Sequence, residues 1–240
     1  MGIRIEYQDS TLQKYDIFEE ITRLYNYNDI IKINCSNNQL TELPKLPDTL
    51  KKIHCYNNQL TELPKLPDNL THLYCPKNQL TVLPKLPDSL KILECFYNQL
   101  TELPELPDSL IKLYCPNNQL TELPKLPDSL LVLYCDNNQL TELPKLPDNL
   151  THLNCSKNQL TELPKLPDSL LVLYYEDNPI YYFIQTYFNQ NINKYREWKI
   201  NYQKKFVIKI SNWFLECKGN PKYDYCRKVV NDMYDDNYPE

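Results

Sequence analysis

The stretch Leu50-Lys51-Lys52-Ile53-His54-Cys55-Tyr56-Asn57-Asn58-Gln59-Leu60-Thr61-Glu62-Leu63-Pro64-Lys65-Leu66-Pro67-Asp68-Asn69 decides the fold. Its first eleven positions read L-x-x-L-x-L-x-x-N-x-L, with Cys55 in the sixth place. The same segment begins at Ile30, Leu50, Leu70, Leu90, Leu110, Leu130, Leu150 and Leu170. From Ile30 to Ile180 the period is 20 residues, with neither insertion nor deletion.

Alternation at Ile53 and Cys55 marks a short strand with one apolar face. Leu63 and Leu66 each precede proline, which pushes both towards extended backbone. Pro64 and Pro67 fix their φ angles and remove two donors, so the return path is polyproline-like rather than helical. One such unit buries too little apolar surface to offset the entropy of ordering its backbone. Stacked neighbours supply the missing burial and the strand hydrogen bonds, so stability belongs to the array.

These residues resemble the leucine-rich-repeat family in its short, 20-residue form with Leu-Pro-x-Leu-Pro on the convex side. That form resembles the repeats of bacterial effectors and the leucine-rich-repeat proteins of giant DNA viruses. Two glycines and no alanine in 240 residues lean towards the viral group. The resemblance covers about residues 30–180. The implied fold is a repeat solenoid: parallel β-strands on the concave side, an extended polyproline-like convex side, and helical N- and C-terminal caps. It also implies that Asn38, Asn58, Asn78, Asn98, Asn118, Asn138, Asn158 and Asn178 form a buried structural ladder, each amide satisfying backbone groups of the turn. Asp48 and its equivalents to Asp168 are expected to close the next turn with their side chains.

A formal charge of −5 and a pI near 5.4 point away from nucleic acid and from acidic membrane surfaces. No run of 18 apolar residues is present, and Met1-Gly2-Ile3-Arg4-Ile5-Glu6 has no apolar h-region, so the reading is a cytoplasmic protein, in the host cell if viral. Nine cysteines raise the question of metal or redox chemistry. Cys35, Cys55, Cys75, Cys95, Cys115, Cys135 and Cys155 all fill the same apolar repeat position, with Tyr175 in the eighth, and read as reduced core thiols. Cys217 and Cys226 have no histidine nearby and lack zinc-ligand spacing. No catalytic residue, metal or cofactor is expected.

Binding information sits where the repeats differ. The convex half hardly changes, with Glu42, Glu62, Glu102, Glu122, Glu142 and Glu162 running beside Lys45, Lys65, Lys85, Lys125, Lys145 and Lys165 as a solvated face. Position three instead reads Lys32, Lys52, His72, Ile92, Lys112, Val132, His152, Val172. Position five reads Asn34, His54, Tyr74, Glu94, Tyr114, Tyr134, Asn154, Tyr174. Alternate strand side chains face opposite ways, so both columns point to the concave side. The candidate partner-binding set is Lys52, His54, His72, Tyr74, Glu94, Lys112, Tyr114, Tyr134, His152 and Tyr174, with Tyr56, Phe96, Tyr97 and Asp136 at the rim. Tyrosine offers large, stiff, half-polar contact area, although strand propensity alone also selects it.

The ends are not repeats. Residues 1–29 are expected to form an N-terminal cap, with a strand at Ile3–Tyr7 and a helix capped by Ser10 or Thr11 whose stripe is Leu12, Tyr15, Phe18 and Leu24. Residues 181–240 are expected to form a helical C-terminal cap or extension, with Tyr195, Trp198, Tyr202, Phe206, Ile210 and Trp213 on one face of a basic helix over 194–213.

The functional reading is a monomeric, non-enzymatic module holding a protein partner on its concave face. One alternative, from the effector resemblance, is a substrate-recognition adaptor for a host ubiquitin-ligase system; about 60 trailing residues leave no room for a ligase domain of its own. The other is a membrane-surface protein using the 194–213 helix.

Overall fold

The computed structural model describes residues 2–188 and 191–197. Strands β1 (Ile3–Tyr7) and β2 (Leu12–Tyr15) precede helix α1 (Phe18–Thr22) and a single 3-10 turn at Tyr27–Asp29. Then come β3 (Ile30–Asn34), β4 (Lys52–His54), β5 (His72–Tyr74), β6 (Ile92–Glu94), β7 (Lys112–Tyr114), β8 (Val132–Tyr134), β9 (His152–Asn154), β10 (Val172–Tyr174) and helix α2 (Pro179–Phe188). All ten strands form one sheet in the order β10-β9-β8-β7-β6-β5-β4-β3-β1-β2.

The parallel register steps by one repeat from strand to strand: Lys32 opposite Lys52, Ile53 opposite Leu73, Leu133 opposite Leu153. The middle residue of each strand from β4 to β9 is buried and its two neighbours face outwards. Behind the sheet, Leu50, Cys55, Leu60, Leu63 and Leu66 and their equivalents form a continuous apolar column. Pro64, Pro67 and their equivalents lie outside regular secondary structure, with Pro64 and its equivalents half-buried and Pro67 and its equivalents buried. This is the solenoid that the period implied.

Each ladder asparagine joins two repeats. Asn118 donates through Nδ2 to the carbonyls of Cys95 and Cys115, both at 3.1 Å, while its Oδ1 accepts from Leu100 N–H at 3.0 Å. Asn58 through Asn178 repeat that pattern. Asn38, the first rung, has no earlier repeat to reach. It accepts from Gly2 N–H at 2.9 Å and donates to Ser36 O.

The aspartate expectation needs correction. The turn before each strand is closed by backbone, as in Leu50 N–H to Pro47 O at 3.0 Å, and by the residue after the aspartate. Ser89 Oγ, for example, donates to the carbonyls of Asp68 and Leu70, each at 2.7 Å. The groups left over there are carbonyls, and a carboxylate has no proton to give them.

Position eight of every repeat is left-handed: φ is 54° at Asn57, 55° at Lys77, 53° at Tyr97 and 56° at Asn117. Asparagine tolerates this region; tyrosine and lysine do so at a cost. Tyr97 is half exposed, and its ring meets the edge of Phe96 and the Lys77 ammonium 5.9 Å from its centroid. Tyr97→Asn is therefore expected to raise unfolding free energy by about 0.5 kcal/mol in urea titration. A loss instead would mean that the ring contacts outweigh the backbone relief.

At the N-terminal end β1 pairs antiparallel with both β2 and β3, and Ile3, Ile5, Tyr7, Phe18 and Ile21 are buried. The helix expected from Ser10 or Thr11 is not there. Tyr7 N–H bonds Thr11 O, Thr11 N–H bonds Asp9 Oδ1, and Ser10 takes φ 68°, so these residues make the β1–β2 hairpin turn. Leu12, assigned to the helical stripe, is 72% exposed on β2. The helix begins only at Phe18, with no side-chain cap.

At the other end, Tyr175 fills the cysteine position with a ring that packs edge-on against Tyr181. Ile180, Phe183, Ile184 and Phe188 of α2 are buried, and Ile180 N–H bonds Leu160 O, which joins α2 to the seventh repeat. Tyr195 is also buried, its hydroxyl accepting from Leu163 N–H at 3.5 Å. The sequence reading began the C-terminal cap at 181 and missed this start of α2; the signal was Asn178-Pro179, because proline is preorganised for the first helical position. The expected helix over 194–213 lies outside the described residues from Trp198 onwards, as do Cys217 and Cys226.

Candidate functional site

Positions three and five form the outward face of the parallel sheet, because the central residue of each strand turns into the core. All ten candidate residues lie on strands β4 to β10, and neighbours in the columns stand one strand apart. They divide into three stretches.

The first is basic and aromatic. His54 stacks on Tyr74 with centroids 4.3 Å apart and planes 13° from parallel, and His72 leans on the same tyrosine at 6.0 Å. Thr71 Oγ1 lies 2.8 Å from His72 Nδ1 and orients that ring. Both imidazoles have pKa values below the usual histidine range. Burial is the main cause, followed by Lys32, Lys52 and His72 at His54, and by Lys52 and Lys91 at His72. Lys32, Lys52 and Lys91 thus stand near the two rings. Lys32 is paired with Glu6 at 3.4 Å.

The middle stretch is aromatic around one acid. Tyr114 and Tyr134 meet edge to face at 5.2 Å. Half-buried Glu94 lies between Tyr74 and Tyr114 in the sheet order; burial pushes its carboxyl up, and Lys112 pulls it back down. Burial first raises the pKa of both Tyr74 and Tyr114, followed by Glu94 and Tyr114 at Tyr74 and by Tyr134 and Glu94 at Tyr114. These phenols are neutral donors at physiological pH.

The last stretch is apolar. Val132 and Val172 occupy position three, while Leu131 and Leu171, one residue ahead of them, are 39% and 78% exposed. His152 is tied by Thr151 Oγ1 at 2.9 Å. Tyr174 is exposed on the last strand. Asp136 accepts from Asn154 Nδ2 at 2.9 Å and so bridges two repeats at the rim. Position two, with Lys91, Leu131 and Leu171, was not among the sequence candidates. Its signal was available, since it too varies while the convex half does not.

The seven core thiols are chemically quiet. Burial raises all of them, Cys35 and Cys155 to about 12, and Cys55, Cys75, Cys95, Cys115 and Cys135 similarly upwards. Nucleophilic cysteine needs the opposite shift. Among the described residues no group of three or more His, Cys, Asp or Glu is placed to hold a metal, and no helix is long and apolar enough to cross a membrane.

Comparison with known proteins agrees with the geometry. A family model described as Leucine Rich Repeat matches residues 149–173. The structure of YopM from Yersinia enterocolitica WA-314 is similar with a TM-score of 0.61 and 39% identity, covering 63% of this chain and 34% of that one. The LRR domain of a Shigella effector is similar with a TM-score of 0.58 and 34% identity, covering 67% of this chain and 76% of that one. The chain belongs to the leucine-rich-repeat family. It spans about a third of the YopM structure. Both neighbours are bacterial effectors or their domains, so they bear on that side of the resemblance and not on the viral one. Comparison with curated proteins gives no match.

Proposed function

We propose that the chain is a non-enzymatic recognition module that binds a protein partner on its concave face. One observation carries the reading. The wall built from Leu-Pro-x-Leu-Pro is nearly the same in every repeat, whereas the outward strand positions differ and present tyrosine, histidine and lysine on a rigid sheet. Rigid aromatic side chains lose little entropy on binding, which is why they dominate recognition surfaces. Likeness to bacterial effector repeats supports an interaction role, and seven buried unpaired thiols suit a reducing compartment such as a host cytoplasm.

Affinity capture from eukaryotic lysate is the test. Tyr74→Ala/Tyr114→Ala/Tyr134→Ala is expected to lose the captured partner, and the convex control Glu62→Ala/Lys65→Ala to keep it. Retention of the same partner by both variants would remove the concave face as the site.

A further inference from the structure

The outward face of the sheet is electrically and chemically polarised along the array. Its N-terminal part holds Lys52 on β4 and Lys112 on β7, with Lys91 just ahead of β6. None of these three has an ion pair among the described residues, whereas the neighbouring Lys32 is already paired with Glu6. From β8 onwards the same rows carry Leu131, Val132, Leu171 and Val172 on either side of Thr151, His152 and Asn154, and the charges at the rim are Asp136, Glu176 and Asp177 against the single cation Lys157. These cations face outwards on a chain whose net charge is −5.

We propose, building on the concave-face reading, that this strip receives an extended segment of a partner protein that is acidic over β4 to β7 and apolar over β8 to β10. The spacing suits a single strand of peptide. Three strand steps separate Lys52 from Lys112, about 14 Å at the usual interstrand distance, which about four extended residues span. The stacked His54–Tyr74 pair and the edge-to-face Tyr114–Tyr134 pair give that segment a flat floor. Glu94 is the opposing charge within the strip, set beside Lys112, and limits how much negative charge the middle accepts. A partner with the reverse polarity would lay carboxylates beside Asp136 and Glu176 and leave the lysines uncompensated.

The test is selection of a random 12-residue peptide library displayed on phage against the full chain, followed by fluorescence anisotropy with the best synthetic peptide. Recovered sequences are expected to carry consecutive Asp or Glu beside Leu or Phe. Lys52→Ala/Lys112→Ala is expected to weaken that peptide roughly tenfold, as is raising salt from about 50 to 300 mM. Glu94→Gln strengthens it severalfold, and Glu62→Ala/Lys65→Ala leaves it unchanged. Peptides that are basic or uncharged, yet still lost with Tyr114→Ala/Tyr134→Ala, would overturn the acidic assignment and leave the concave-face reading standing. Peptides indifferent to every concave substitution, or none above background, would bring down both. Equal competition by a 15-nucleotide oligothymidine would reassign the strip to nucleic acid.

Discussion

Asn118→Ala is expected to lower the unfolding free energy by about 2–4 kcal/mol in urea titration, far more than its modest size suggests. Among the described residues the side chain is the sole partner of Leu100 N–H, at 3.0 Å, so the substitution orphans that donor inside the array. The carbonyls of Cys95 and Cys115 each lose one of two amide donors, keeping those from Asn98 and Asn138. Asn118→Asp separates the two halves of the effect. It can still accept from Leu100 N–H, but at neutral pH it sets a carboxylate against two carbonyl oxygens. Its folded pKa is therefore raised, so the variant is most stable in acid and weakens as pH climbs from the unfolded carboxylate value towards the folded one. Asn38→Ala is the internal control. That rung bonds only Gly2 N–H and Ser36 O, at the end of the array, and should cost about 1 kcal/mol. Equal losses at Asn38 and Asn118 would show that the ladder does not work by joining repeats.

The contrast between those two rungs shows which features a sequence displays. Period, strand position and ladder were legible because each is written eight times, so one misread residue changes nothing. The hairpin at Gln8–Thr11 is written once. Leu12, Tyr15 and Phe18 have the spacing of a helical stripe, and only the turn chemistry of Asp9-Ser10 argues against it. Turn closure by Ser89 rather than Asp88 was hidden for a different reason. Aspartate and the residue after it alternate identically with the period, and only the donor requirement of the orphan carbonyls separates them. On the outward face, strand direction placed Tyr74, Tyr114 and Tyr134 correctly. The stacking of His54 on Tyr74 and the field of Lys91 at His72 depend on neighbours one repeat away, which become adjacent only once the register is fixed.

That same stacking makes the thiol column sensitive to pH. The seven cysteines from Cys35 to Cys155 are fully buried and one strand step apart. Burial raises every one of them above the ordinary 9.0, and at Cys55 the neighbouring Cys75 and Cys35 raise it further. An acid whose folded pKa exceeds its unfolded value gives its full contribution to stability below the unfolded value. The contribution falls as pH rises from there towards the folded one, here from about 9 to about 12. Each thiol then costs about 1 kcal/mol between pH 9 and pH 10. Seven together remove about 7 kcal/mol, comparable with the whole stability of an ordinary domain. The chain is expected to be folded at pH 8 and largely unfolded by about pH 10, followed by circular dichroism in reductant. Buried tyrosines titrate in the same direction at higher pH, so the informative slope lies below about pH 9.8. Cys95→Ala/Cys115→Ala identifies the source. Its stability at neutral pH is lower because two side chains are truncated, but its alkaline slope should fall by about two-sevenths. A stability flat between pH 8 and pH 10, or a slope that ignores the double substitution, would place the thiolates outside the energetics of the core.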